Sequence, residues 1–235
     1  MENLIKTIFP SFCIFCKQTG PMVCYKCAYA CKAVNEPVCI VCQRLAVNGK
    51  THVQCQTGNF NQPPPSELFS CFEYGEKVRK CIMQSKYQPL EYGALKDLAY
   101  YAVKYALDTG YYLSDFLVVP VPLSREKLKK RGFNQAKFIC DEISKNLGLK
   151  VVDSILIRKK DTVAQAEFGR KERLANMKGA FTVSPLAVNA NAVKNRNFLL
   201  VDDICTTGAT LLEASGVLYG AGAREVRCFT LSRVL

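Results

Sequence analysis

No stretch of this 235-residue chain approaches the ~20 consecutive apolar residues that a membrane-spanning helix requires. The opening run Met1-Glu-Asn-Leu-Ile-Lys-Thr-Ile-Phe-Pro10 has an early acid and only short apolar stretches, which does not fit a secretory signal. Membrane insertion is therefore not expected, and a reducing, cytoplasmic compartment is. Histidine occurs once, at His52, and a lone histidine is by default a satisfied structural residue. Acidic residues are scarce: 20 Asp and Glu face 32 Lys and Arg, for a net charge of +12. The basic excess runs through both parts of the chain, 6 against 2 up to Phe60 and 26 against 18 beyond it. It favours an anionic partner, whether a phosphorylated small molecule, nucleic acid or an anionic surface, and does not choose among them.

Cysteine is abundant, with 13 in all and eight of them before Gln56. In a reducing compartment such an array reads as metal ligation rather than disulfides. Cys13-x-x-Cys16 pairs with Cys24-x-x-Cys27, and Cys39-x-x-Cys42 with His52-x-x-Cys55. Each two-residue spacing lets two ligand atoms turn back onto one tetrahedral ion, so eight ligands make two structural zinc sites. The simplest pairing is sequential, one site of four cysteines and one of three cysteines with His52. A cross-braced pairing fits the spacing equally well, and Cys31 is a spare thiol able to replace His52. Zinc would supply about 10–16 kcal/mol of apparent binding free energy, which a segment with few large apolar residues needs in order to fold.

Gln56 to Ser66 is aperiodic, and its three successive prolines forbid helix and favour an extended chain. The domain boundary is placed there, with a metal-binding module over residues 1–58 and a larger unit over 67–235. The larger unit reads as α/β. A strand near Leu68–Tyr74 leads into a helix at Glu76–Tyr87, with Val78, Cys81, Ile82 and Ser85 on one face, and a second helix at Ala94–Asp108. The apolar run Asp115–Val121 is a strand covered on both faces, and Gly132–Ala136 opens a helix to about Leu147. Strands follow at Val151–Arg158, Gly179–Val183 and Asn197–Val201, then a helix at Ala209–Tyr219 and a last strand at Glu225–Leu231. This alternation implies a mostly parallel sheet flanked by helices. Tyr100, Tyr101, Tyr105, Tyr111 and Tyr112 are either a half-buried core face or a stacking surface for bases.

The stretch Phe198-Leu-Leu-Val-Asp-Asp-Ile-Cys-Thr-Thr-Gly-Ala-Thr-Leu211 runs from a hydrophobic strand through two carboxylates and a Thr/Gly turn into a helix. A turn into a helix N-terminus presents unpaired N–H groups backed by the helix dipole, which makes a phosphate cradle. Asp202 and Asp203 repel phosphate but suit a sugar diol or hydrated Mg2+. Phosphate, diol and magnesium together describe a phosphorylated ribose. The run resembles the phosphoribosyl pyrophosphate (PRPP) loop of type I phosphoribosyltransferases, and so implies that fold. The resemblance implies that Asp202 and Asp203 hold the ribose hydroxyls and that Thr206, Thr207, Gly208, Ala209 and Thr210 hold the 5′-phosphate. Cys205 departs from the family pattern, which usually has an aliphatic or aromatic residue there.

Pro120-Val-Pro-Leu-Ser124 and the basic segment Arg125–Arg131 read as a loop after a strand, and ligands of open α/β sheets sit outside the carboxyl ends of strands. Pyrophosphate with Mg2+ is accordingly expected near Leu123, Ser124, Arg125 and Arg131. Pro120–Leu123 followed by Arg131-Gly-Phe-Asn-Gln135 resembles the competence protein F (ComFC, GntX-like) branch of the family. Thr162, Gln165, Arg173 and Asn176 fit that branch as well, with Phe168 where leucine is common. Lys159–Lys178 is either a hood over pyrophosphate, as the resemblance implies, or a solvated loop.

The branch carries an N-terminal double zinc ribbon. It implies a PRPP-responsive protein of natural transformation that engages incoming single-stranded DNA or a helicase of the DNA-uptake machinery. The alternative is an active, Mg2+-dependent phosphoribosyltransferase on an unidentified acceptor, in nucleotide metabolism or DNA repair. In that case Asp202 and Asp203 would act catalytically beneath a developing positive ribose. No residue set for recognising a base as acceptor is evident in the chain.

Overall fold

A computed structural model describes residues 10–58, 62–87, 92–160 and 169–234. The cysteine-rich segment has little regular structure: α1 (Tyr25–Tyr29), a 3-10 turn at Val47–Gly49 and α2 (Val53–Gln56). β1 (Glu67–Glu73) opens the larger unit, followed by α3 (Glu76–Tyr87), α4 (Gly93–Asp108), β2 (Phe116–Pro120), α5 (Arg125–Arg131) and α6 (Gln135–Leu147). Then come β3 (Leu156–Arg158), α7 (Arg170–Met177), β4 (Phe181–Val183), α8 (Pro185–Asn189), β5 (Asn197–Cys205), α9 (Ala209–Gly220) and β6 (Glu225–Arg233).

The main sheet has the order β1-β6-β5-β2, and every pairing in it is parallel. Parallel neighbours require crossovers, and the helices that make them cover both faces. β5 shows how the sequence encodes this. Phe198 and Leu200 face the cluster that includes Leu211 and Leu218 of α9, whereas Leu199 and Val201 face the cluster built with α3, α4 and α6. All four are fully buried, so a strand with alternating faces still reads as one unbroken apolar run.

Three segments differ from the sequence expectation. Val151 only bridges Val118 at the edge of β2, and the chain then turns so that Leu156–Arg158 pairs antiparallel with Phe181–Val183 in a separate two-stranded sheet. The basic segment after Ser124 is a helix rather than a loop. Ser124 Oγ accepts the Lys127 N–H at 3.3 Å, Gly132 ends α5 in the left-handed region, and three cationic side chains sit in its last turn, where the helix dipole favours them. β5 continues past Val201 in register with β6 as far as Cys205, so the two acids lie on the strand itself.

The cysteine-rich segment packs tightly on this unit. Its chain lies against the free edge of β1 through bridges Ala33–Phe72 and Lys50–Glu67, with Val34 N–H on Cys71 O at 3.0 Å and Thr51 N–H on Ser66 O at 2.8 Å. This covers an edge that would otherwise be open to strand addition. Tyr105 and Tyr111 belong to the core, where Phe69 and Tyr111 have ring centroids 4.4 Å apart and Phe72 and Tyr105 6.1 Å. Tyr100 and Tyr112 point outward. Residues 161–168, with Thr162, Gln165 and Phe168, lie outside the described residues.

Candidate functional site

The two cysteine loops are built alike. In each, the residue after the second cysteine, Lys17 or Gln43, adopts a positive φ of 62° and donates its N–H to the carbonyl of the first cysteine at 2.9 Å. That turn brings the two sulfurs of a Cys-x-x-Cys together. Cys13, Cys16, Cys24 and Cys27 form one group and Cys39, Cys42, His52 and Cys55 the other, with all ligand atoms of each group within 4.8 Å of one another. The sequential pairing is therefore the one adopted, and each group could hold a metal ion. Cys31 stands outside both, donating to Cys27 O at 3.6 Å. His52 Nε2 faces Leu45 O at 2.9 Å and Nδ1 faces Cys42 Sγ at 3.3 Å. A carbonyl can only accept, so Nε2 carries the proton and Nδ1 presents its lone pair to the cysteines, as a metal ligand must.

The second feature is a cleft of about 560 Å³ at the carboxyl ends of β5 and β2. Of the residues expected there, Leu123, Arg131, Asp202, Asp203, Thr206, Thr207, Ala209 and Thr210 line it. Gly208 sits behind the turn with φ +79°, and an added Cβ would come within 2.8 Å of Ile40 Cγ1. Ser124 and Arg125 are not among the lining residues: Ser124 is buried as the α5 cap, and Arg125 is exposed. Lys127, Arg158, Arg173 and Asn176 line the cleft as well, with Tyr74, Met83 and Lys86 closing one side. Lys86 carried no sequence signal beyond lying four residues after the buried Ile82, at the border of the apolar face of α3.

The Asp202 carboxyl is electrostatically strained. Burial, and next the charge of Asp203, push the Asp202 carboxyl up to about 8, although its Oδ1 accepts the Asp203 N–H at 2.9 Å. Asp203 is held by Lys86 Nζ at 2.6 Å, with both side chains largely buried. Across the cleft, Arg173 Nη1 donates to Thr206 Oγ1 at 3.0 Å, and Arg131 Nη1 donates to Gln135 Oε1 at 3.2 Å. The arrangement pairs an acidic strand end with a cationic rim, which fits a ligand with a polyol centre and anionic ends.

A larger concavity of about 990 Å³ lies between the second cysteine loop and the ends of β1 and β6. Arg227 in it is engaged by Glu225 at 2.7 Å and by Glu67 at 3.8 Å, which leaves it poorly suited to an anion.

Residues 128–234 match the family described as the phosphoribosyl transferase domain. Together with the parallel sheet, this gives the larger unit the type I phosphoribosyltransferase fold, behind a module with two metal-competent cysteine clusters. Competence protein F of Haemophilus influenzae is 36% identical over 139 residues, 59% of each chain. Competence protein ComFC of Streptococcus pneumoniae is 32% identical over 119 residues, 51% of this chain and 49% of that one. The DNA utilization protein YhgH of Escherichia coli is 28% identical over 232 residues, 92% of this chain and 99% of its own. The chain is a homologue of these competence protein F, ComFC and YhgH proteins.

Proposed function

We propose that the protein is a competence-related, phosphoribosyltransferase-like factor that binds PRPP with Mg2+ and handles single-stranded DNA on the cytoplasmic side of the membrane. The observation that carries the ligand is the convergence, in one cleft, of the Asp202–Asp203 pair, the Thr206–Thr210 turn and a cationic rim. In this reading the turn cradles the 5′-phosphate, the two acids take the ribose diol, and Lys127, Arg131, Arg158 and Arg173 meet the pyrophosphate in place of Ser124 and Arg125. Mg2+, when bound with PRPP, would neutralise pyrophosphate charge. Zinc is the metal assigned to both cysteine groups, since thiolate and imidazole donors in a tetrahedral set favour it. A helicase of the uptake machinery is the protein partner that the family resemblance implies.

A row of rings supports the DNA reading. Tyr29 and Tyr25 on α1 have centroids 4.2 Å apart, Tyr25 and Tyr101 on α4 6.3 Å, and Tyr101 and Tyr100 5.3 Å. Lys104 Nζ lies 5.9 Å from the Tyr100 ring, and Lys26 and Lys96 are exposed on the same two helices. Exposed rings beside lysines suit unstacked bases and their phosphates. Fluorescence anisotropy with a labelled oligonucleotide tests it. Affinity should fall steeply as salt rises, and about tenfold further in Tyr25→Ala/Tyr100→Ala. No binding at low salt refutes the DNA role, and an unchanged double variant refutes this surface. Following pyrophosphate release from PRPP, with and without DNA or free bases, decides between a binding protein and a transferase.

A further inference from the structure

We propose that the second metal loop is part of the phosphate site: Ile40, Arg170 and Arg233 hold the Thr206–Thr210 turn in its binding shape, so metal occupancy at Cys39, Cys42, His52 and Cys55 sets affinity for the phosphorylated ligand. Three contacts converge on this. Ile40, fully buried between ligand positions 39 and 42, fills the space behind Gly208, where its Cγ1 would stand 2.8 Å and its carbonyl 3.4 Å from an added Cβ. The metal loop thus forms the wall against which the turn is folded, and a loop that relaxed on losing its ion would remove that wall.

Arg170 makes the second contact. Its guanidinium donates to Ile40 O at 2.9 Å and Val41 O at 2.6 Å, while Arg173, one turn along α7, donates to Thr206 Oγ1 at 3.0 Å. One helix therefore grips the metal loop and the phosphate turn together.

Arg233 makes the third contact. It is 2% exposed at the end of β6, in register with Cys205, and donates to Gln43 Oε1 in the metal loop. Among the described residues no carboxylate forms an ion pair with it, and burial, with Arg170 nearby, disfavours its charge. Three thiolates and a neutral imidazole around a divalent ion carry one net negative charge, which is the counter-charge a buried guanidinium needs. The first cysteine group is an internal contrast, because Cys13 and Cys27 pack with α3 and α4 in the other core cluster.

Coupling of this kind is reciprocal, so the ligand must also protect the metal. The choice of PRPP as probe rests on the function proposed above, whereas amide exchange at the turn does not. The experiment uses the full chain loaded with zinc, comparing the parent with Arg170→Gln and Ile40→Ala and with the exposed Lys171→Gln as control. Zinc content is measured in each.

Both test variants should retain zinc and exchange amides of residues 206–212 about tenfold faster or more, and bind Mg-PRPP about tenfold more weakly, with the control unchanged. Under a competing chelator, saturating PRPP should slow release of one of the two ions. Unaltered exchange at the turn in zinc-loaded variants overturns the proposal. So does zinc loss at rates indifferent to PRPP when PRPP binds. If the parent does not bind PRPP, the proposed function fails and the exchange data decide this inference alone.

Discussion

Asp202 is the residue whose chemistry is most exposed to test. Its carboxyl is pushed up to about 8 by burial and by Asp203, so between the ordinary carboxylate range and pH 8 the folded chain binds more protons there than the unfolded chain. Stability from this group therefore falls as pH rises through that window. Asp202→Asn, which keeps an oxygen for the Asp203 N–H, should unfold at a higher temperature than the parent at pH 8 without ligand. The gain should be about 1–3 kcal/mol and vanish near pH 4. Thermal unfolding across pH checks it, and a variant no more stable than the parent at pH 8 contradicts it. Lys86 gives a second test at this scale. It bridges Asp203 in a largely buried pair, and Lys86→Met should weaken Mg-PRPP binding about tenfold by leaving one carboxylate without its cation. Calorimetry reads this directly. The two acids were legible in the sequence because a loop motif is local. Lys86 was not, because it comes from a helix remote in the chain and reaches the site only through tertiary packing.

At the scale of elements, the turn between β5 and α9 carries the phosphate reading. Gly208 needs its positive φ of 79° and has Ile40 at its back, so Gly208→Ala meets both backbone strain and a steric wall. It should cost about 1–3 kcal/mol of stability and weaken PRPP binding at least about tenfold while zinc content is unchanged. An alanine variant with parental stability and affinity would contradict the turn geometry. The strands and long helices were readable because burial on both faces leaves continuous apolar runs and one-sided burial leaves a helical stripe. α3 matches its expected bounds and buried face for that reason. α5 was missed because a short cationic helix has no apolar stripe: its buried anchor is the Ser124 cap, and its stop is Gly132. The split of Val151–Arg158 was missed because the residues on both sides of the turn are apolar and nothing local tells which sheet each half joins.

For the whole molecule, the two cysteine groups straddle the sheet, one packed on the α3 and α4 side and the other against the phosphate turn. The spacing of the cysteines told how many ligands there are but not their pairing, since sequential and cross-braced arrangements share it; the gathering of Cys13 and Cys16 with Cys24 and Cys27, and of Cys39 and Cys42 with His52 and Cys55, decides it. The face from Tyr29 to Tyr100 is likewise assembled from two distant helices, which is why its continuity could not be read from the chain. Calorimetry of Mg-PRPP against the parent and Asp202→Ala/Asp203→Ala tests most directly whether the cleft at Asp202–Thr210 takes PRPP. One saturable site per chain, lost in the double variant while circular dichroism and zinc content are retained, is the predicted result. Equal affinity in the two proteins, or no binding to the parent, would contradict it.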